Sequence, residues 1–247
     1  MFAVRKSKRI RTEKPSLSIL QQDIISFSDK CSRSKMENVI CRIRLATKKE
    51  IEDLKGWSPL VRAVFMFGGS TSHPNTWQAL LIELIEVCHK KGISLDAGDR
   101  CLSTGGILER PLVLAAHYGY HPVVKKLLLL GASPDVMNGE GKTALHTALE
   151  NRNSIRRLRD NDRATFRTIA AASCITTSFG VYRSSAPGSM LYINGDEVVF
   201  GTPMLRAIRF HNDDAFRILV EFGAFLSDRD FLLLYKKKLL RRFGKMI

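Results

Sequence analysis

The chain has 247 residues, of which 45% are hydrophobic, and it carries a formal net charge of +15. This apolar fraction is enough for the core of one large domain or two modest ones, so a wholly disordered chain is excluded. The most apolar stretches, such as residues 123–130, are far shorter than the roughly 20 residues that cross a bilayer, so we expect a soluble chain without membrane spans.

The positive charge is concentrated at the two ends of the sequence. Residues 1–14 contain six basic side chains and one acid, and residues 236–247 contain six basic side chains and no acid. Only +4 therefore remains for the 221 residues between them. The body of the chain has an ordinary charge, and any electrostatic attraction to nucleic acid would act through the ends.

Residues 1–16 are basic and end near Pro15, which predicts a flexible arm. The arm resembles a nuclear import signal, or a segment that contacts phosphates, whereas an ordinary solvated terminus is the open alternative. The basic residues that would serve either role are Arg5, Lys6, Lys8, Arg9 and Arg11.

The cysteines indicate the cellular compartment. There are five, an odd number, and they form no C-x-x-C pair. No apolar run of signal-peptide length precedes them, so we expect reduced thiols in an intracellular protein of the nucleus or cytoplasm. The alternative is a secreted chain with one or two disulfides.

Residues 17–54 are predicted to form an N-terminal helical capping segment. Residues 18–34 are ambiguous, because serines interrupt the apolar positions. From Lys35 onward, apolar residues recur at a spacing near 3.6, which is typical of an amphipathic helix.

The clearest helical pair begins at Arg110. Pro111 suits the first turn of a helix, where its missing N–H is not needed, and Gly119 ends that helix. A second helix follows, and the chain turns at Gly131. The next equivalent start is Thr143, 33 residues after Arg110, which is a period typical of stacked helical repeats.

A weaker start occurs at Ser58 and a further start at Thr202, so the successive spacings are 52, 33 and 59 residues. Insertions are therefore expected at about 67–76 and 151–192. A helix is predicted at 164–174, and two β-prone runs around Asn194-Gly195 predict a hairpin. Residues 227–247, with acids first and bases later, are predicted to form a basic C-terminal capping helix.

These motifs resemble ankyrin repeats. The pattern G-x-T-P-L-H-x-A-A-x-x-G is matched by Gly141, Thr143, Leu145, His146 and Ala148 in one unit, by Pro111, Leu112, Ala115, Ala116 and Gly119 in the unit before, and by Gly201, Thr202, Pro203 and Ala207 in a later one. The resemblance implies an all-α ankyrin-repeat solenoid of about four degenerate helix-turn-helix units over residues 55–226, with short β-hairpin fingers and capping helices.

The resemblance also implies where a partner binds, because ligands of the family usually contact finger tips and the exposed ends of first helices. The corresponding positions are Glu109, His117, Tyr118, Glu140, Lys142, Glu150, Val198, Val199 and Arg209. Packing of the two valines against a neighbouring turn is the open alternative. The resemblance further implies that His146, like the motif's Thr, forms hydrogen bonds that tie a turn to its neighbour, and Arg206, which departs from the family pattern, is expected to meet a carboxylate or solvent.

No arrangement of residues predicts a reaction or a metal site. The six histidines do not cluster with cysteines or carboxylates, and no phosphate-binding loop motif occurs. We therefore expect no enzymatic activity, no cofactor, no metal and no small-molecule ligand. The favoured function is a protein-protein interaction module or adaptor, and a nucleic-acid-associated nuclear protein that uses its basic termini is the alternative. The repeats could also target a larger assembly whose effector lies on a partner.

Overall fold

A computed structural model describes residues 19–29, 32–54, 56–68, 74–100, 106–150, 158, 160–173 and 202–224. The helices within these ranges are α1 (Ile19–Asp29), α2 (Arg33–Leu45), α3 (Lys48–Glu52), α4 (Pro59–Gly68), α5 (Pro74–Lys90), α6 (Pro111–His117), α7 (His121–Leu129), α8 (Ala144–Ala148), α9 (Asp160–Ala172), α10 (Pro203–Arg209) and α11 (Asp213–Glu221). The predicted hairpin at 190–200 and the predicted terminal helix at 227–247 lie outside the described residues.

The helices form two rows. In the first row, which we call the inner row, α1, α4, α6, α8 and α10 pack in succession, and in the outer row α2, α5, α7, α9 and α11 do the same. Each inner helix also packs against the outer helix that follows it in the row. The result is a stack of helix pairs, as the all-α solenoid prediction requires.

The segment predicted as an N-terminal cap contributes a full helix pair to the stack. Its first helix, α1, packs on α4, and its second, α2, packs on α5. Leu20 and Ile24 of α1 and Met36 and Ile40 of α2 are buried there. The serines that obscured α1 in the sequence do not prevent it, because its apolar residues pack against the next pair.

Side chains of both rows form one continuous core. Its largest fully buried members include Phe166 and Phe216, which belong to outer helices. Ala115 and Ala207 of the inner row are fully buried too, and their small side chains let paired helices approach closely. No single pair could bury this apolar surface alone, so the stability of each pair depends on its neighbours.

Local signals in the sequence set the helix boundaries. Pro111 occupies the first turn of α6. The side chain of Thr47 begins α3 in a capping box with Glu50, and the Asn212 side chain accepts a hydrogen bond from the Ala215 N–H at the start of α11. The helix predicted at 164–174 instead begins four residues earlier, at Asp160, where two acids favour a helix N-terminus.

The outer helices are joined at the surface by ion pairs. Arg44 of α2 meets Glu83 of α5 at 2.5 Å, and Lys126 of α7 meets Glu86 of α5 at 2.5 Å. Arg167 of α9 pairs with Glu221 of α11. Such exposed pairs contribute little free energy each, about 0 to 1 kcal/mol, so burial of apolar surface dominates the stacking.

Candidate interaction surface

Two connections between an outer helix and the next inner helix, α5 to α6 and α7 to α8, lie side by side along one edge of the stack. The turn between α5 and α6 contains an isolated antiparallel bridge, in which the Asp99 N–H donates to the Glu109 carbonyl at 3.1 Å and the Glu109 N–H donates to the Asp99 carbonyl at 2.9 Å. The bridge is isolated, and no strand occurs among the described residues. We call the described parts of this turn, residues 95–100 and 106–110, the first finger, and the following turn, residues 133–143, the second finger.

Hydrogen bonds join the two fingers. The Arg110 guanidinium donates to the Asp96 carbonyl of its own finger at 2.6 Å and to the Met137 carbonyl of the second finger at 3.1 Å. The Asp96 carboxylate accepts the Ser133 N–H at 3.1 Å, and the Gly139 N–H donates to the Leu108 carbonyl at 2.6 Å. A Cβ at Gly139 would lie only 2.9 Å from the Leu108 backbone nitrogen, so the close approach of the fingers requires glycine there.

Asn138 organises the tip of the second finger. Its side-chain oxygen accepts the N–H groups of Glu140 and Lys142, each at 3.0 Å. These two bonds fix the amide orientation, so its nitrogen faces the first finger and donates to the Glu109 carboxylate at 3.3 and 3.5 Å. The two fingers therefore present one preformed surface.

Glu109 is part-buried at this junction. Burial raises the pKa of its carboxyl to about 7, against the opposing effect of the Asn138 hydrogen bond. The charge of Glu140 adds to the increase and that of Lys142 counteracts it. Glu109 can therefore change its charge near neutral pH.

A largely buried ionic cluster lies between the inner helices α8 and α10. The Lys142 ammonium meets Glu140 at 2.6 Å and Glu150 at 3.1 Å. Glu150 also pairs with the guanidinium of Arg206, whose side chain is 9% exposed. Arg206 thus meets a carboxylate, one of the two environments expected from the sequence.

Aromatic rings lie at the opposite ends of the inner helices from the fingers. Tyr118 stacks on Tyr120 with ring centroids 5.5 Å apart and contacts His117 edge-on at 5.1 Å. Tyr120 in turn contacts Phe67 of the preceding pair at 4.4 Å, and burial raises the pKa of its hydroxyl. The partly exposed rings of His117 and Tyr118 form a second patch on the inner row.

A scan against family models matches residues 112–230 to ankyrin repeats, in three copies. The chain is an ankyrin repeat protein. No curated protein matches its sequence. The matched residues begin at the third helix pair of the stack, and two further pairs, α1 with α2 and α4 with α5, precede them.

Thr143 and His146 are hydrogen-bonded to each other in the best-matching copy of the ankyrin motif. The Thr143 N–H donates to Nδ1 of His146 at 3.3 Å, and the Thr143 hydroxyl lies 2.8 Å from the same nitrogen. Because Nδ1 accepts the backbone N–H, the hydroxyl is a donor to it as well. Thr147 links this repeat to the one before, since its hydroxyl donates to the Val113 carbonyl at 3.0 Å.

The structure places the predicted contact residues in different environments. Glu109, His117, Tyr118, Glu140 and Glu150 are partly exposed, whereas Lys142 is buried in the ionic cluster. The backbone of Arg209 ends α10, but its side chain is outside the described residues. Val198, Val199 and the basic arm with Arg5, Lys6, Lys8, Arg9 and Arg11 also lie outside them. Their roles stay predictions.

Sequence reasoning missed the anchor of the first finger. The Arg62 guanidinium meets the Asp99 carboxylate at 2.7 Å, and the same carboxylate accepts the Ser58 N–H at 3.0 Å. Arg62 also lies over the Trp57 ring, 4.5 Å from its centroid. One signal was available: Arg62 and Arg206 occupy the same position of the repeat motif, four residues after Ser58 and Thr202.

The described residues contain no group of three or more His, Cys, Asp or Glu side chains arranged to hold a metal ion. None of the helices in the described ranges has both the length and the apolar character needed to cross a bilayer.

Proposed function

We propose that this ankyrin repeat protein is a non-enzymatic adaptor, which binds a partner protein through its two fingers and the adjoining ends of the inner helices. Ankyrin repeats are generally protein-protein interaction modules, and they are typically non-catalytic. The observation that carries the proposal is the ordered contact between the fingers, in which Asn138 joins Glu109 to the turn of the next repeat.

The rigidity of this surface favours binding. The first finger is held by its own bridge and by Asp96, and the second by Asn138. Because these groups are already ordered, association costs little additional conformational entropy. Partly exposed aromatic residues such as Tyr118 are the kind of side chain that contributes most to interface affinity.

The residues of the ionic cluster have a supporting role in this proposal. Lys142 is buried and bound by two carboxylates, so it positions Glu140 and Glu150. The direct contacts to the partner then come from Glu109, Glu140, His117 and Tyr118.

Affinity capture with crosslinking from native cells tests the proposal. The full chain is compared with Tyr118→Ala and with Glu140→Lys, and Glu52→Lys on the exposed surface of α3 is the matched control. We expect both surface variants to lose the partner and the control to keep it, with thermal unfolding confirming that all are folded. Retention of every captured protein by both surface variants would refute the proposal.

The charge at the two termini favours a second candidate, association with nucleic acid in the nucleus. If about six phosphates were contacted, affinity should fall about a thousandfold between 50 and 200 mM salt. The test is retention on DNA and RNA by the full chain and by a chain that lacks residues 1–14 and 236–247. Retention that survives this deletion, or no retention at low salt, excludes the candidate.

A further inference from the structure

Glu109 is a fixed feature of the finger surface. Its backbone is bonded to Asp99 in both directions, at 2.9 and 3.1 Å. Its carboxylate is held by the Asn138 amide, whose own oxygen is bound by two backbone N–H groups. The carboxylate therefore has a defined position rather than a set of solvent-exposed rotamers.

The group that binds the Glu109 carboxylate is neutral, whereas the neighbouring carboxylates are bound by cations. Asp99 is bound by Arg62, and Glu140 and Glu150 are bound by Lys142, whereas Glu109 is bound by a neutral amide. No cation of the described residues lies within ion-pair distance of it.

The nearby cations already have other partners. Arg62 is bidentate to Asp99, and Lys142 is shared by two carboxylates. Arg110, the next residue in sequence, donates to two backbone carbonyls of the fingers. The Glu109 carboxylate therefore has no ion pair among the described residues, in a chain whose overall charge is strongly positive.

We propose that Glu109 accepts a basic side chain, arginine or lysine, from an extended segment of the partner protein, while Tyr118 and His117 contact an apolar or aromatic residue of the same segment. This inference rests on the proposed function and names the chemistry of its partner. The seven-residue helix α6 separates the two contact points by about 10 Å. An extended segment covers that distance in about three residues.

The arrangement couples binding to proton release. A cation binds only the ionised carboxylate, and burial gives Glu109 a pKa of about 7. The ionised fraction then rises about tenfold between pH 6 and pH 8, and the affinity should rise with it. The charged groups that face Glu109 from the adjoining elements are Asp99 with Arg62, Arg110, Glu140 and Lys142, each of which is bound within the chain.

The probe is a short peptide that presents arginine three residues from a tryptophan, compared with the same peptide carrying neutral citrulline instead. Calorimetric titration of the full chain in two buffers of different ionisation enthalpy measures both affinity and protons released at pH 7. We expect the arginine peptide to bind more tightly than the citrulline peptide, with release of about half a proton, and to bind about tenfold more tightly at pH 8 than at pH 6.

Glu109→Gln should bind the arginine peptide at pH 8 at least as weakly as the unmodified chain does at pH 6, and should release no proton. Glu52→Gln, on an exposed part of α3, is the matched control and should behave as the unmodified chain. His117 belongs to the same proposed contact, so His117→Gln is a second control and should retain the proton release that belongs to Glu109.

Equal affinity for the two peptides, no binding of the arginine peptide, or proton release that persists in Glu109→Gln would overturn the inference. The experiments distinguish a failure of this inference from a failure of the proposed function. If Tyr118→Ala loses the captured partner and Glu109→Gln keeps it at every pH, the interaction surface stands and only the role of Glu109 is refuted.

Discussion

His211 occupies a backbone position that the repeat normally gives to glycine. Its φ is 54°, and Gly119, which ends the corresponding inner helix of the third pair, has a φ of 68°. A side chain with a Cβ is strained by about 1 to 2 kcal/mol in this left-handed region, while glycine is not.

We therefore expect His211→Gly to stabilise the protein by about 0.5 to 1 kcal/mol, because relief of strain exceeds the added entropy of the unfolded chain. The melting temperature should rise by about 2 °C, measured by calorimetry. Gly119→Ala is the matched reverse change and should destabilise by about 1 kcal/mol. A lower melting temperature for His211→Gly would show that side-chain contacts of His211 outweigh the strain.

The Glu109 carboxyl makes stability depend on pH. Its pKa is raised from 4.5 to about 7 on folding, so the folded state binds the proton more tightly than the unfolded state. Stability is therefore lost as the pH rises from about 4.5 to 7, and this loss persists at higher pH.

Glu109→Gln removes that loss. We expect the variant to gain about 2 kcal/mol relative to the unmodified chain at pH 8 and much less at pH 5, since one pKa unit corresponds to about 1.4 kcal/mol and water screens a part-buried group. Urea unfolding at the two pH values measures the difference. An equal change in the free energy of unfolding at both would contradict the prediction.

At the scale of elements, the ion pair of Arg62 and Asp99 ties α4 to the first finger. Both side chains are nearly buried, at 8% and 2% exposure. Asp99→Ala would leave a buried guanidinium without its countercharge and the Ser58 N–H without its acceptor, so we expect a loss of about 3 to 5 kcal/mol.

A double-mutant cycle separates the pair from the other contacts of Asp99. Arg62→Met combined with Asp99→Ala should be less destabilising than the sum of the single changes, by about 1 to 3 kcal/mol in urea unfolding. Additive effects would mean that the finger is held by its backbone bridge alone.

The elements differ in how far the sequence predicts them. Pro111 and Gly119 act within a few residues of their own positions, so the boundaries of α6 could be predicted from local chemistry. The bond between Arg62 and Asp99 joins residues 37 apart, and Asn138 reaches Glu109 across 29 residues. Such contacts depend on how neighbouring repeats align, and no local pattern specifies them.

The contrast between local signals and contacts across repeats also applies to the predicted contact residues. The motif assigns Lys142 and Glu140 to the second finger, which the structure describes as a turn organised by Asn138. The motif could not show that Lys142 is buried, because its burial depends on Glu150 and on Arg206 of the following pair.

At the scale of the whole molecule, the stack transmits stability from pair to pair. The inner helices α8 and α10 contact each other less extensively than α6 and α8 do. Arg206 of α10 reaches Glu150 at the end of the preceding inner helix, and Glu150 also binds Lys142. This ionic cluster is therefore a principal link between the last described pair and the rest.

Glu150→Gln should weaken that link without disturbing the middle of the stack. We expect the backbone amides of α10 and α11, such as that of Leu219, to exchange hydrogen at least tenfold faster, because breaking a part-buried ion pair raises the population of locally opened states. The amides of α7, such as that of Leu127, should keep their protection.

Native-state hydrogen exchange measures the protection of both sets of amides. Glu221→Gln, which removes an exposed charge from α11, is the matched control. Equal loss of protection in α7 and α11 would mean that the repeats unfold as one cooperative unit, and unchanged protection in both would mean that outer-row packing alone holds the last pair.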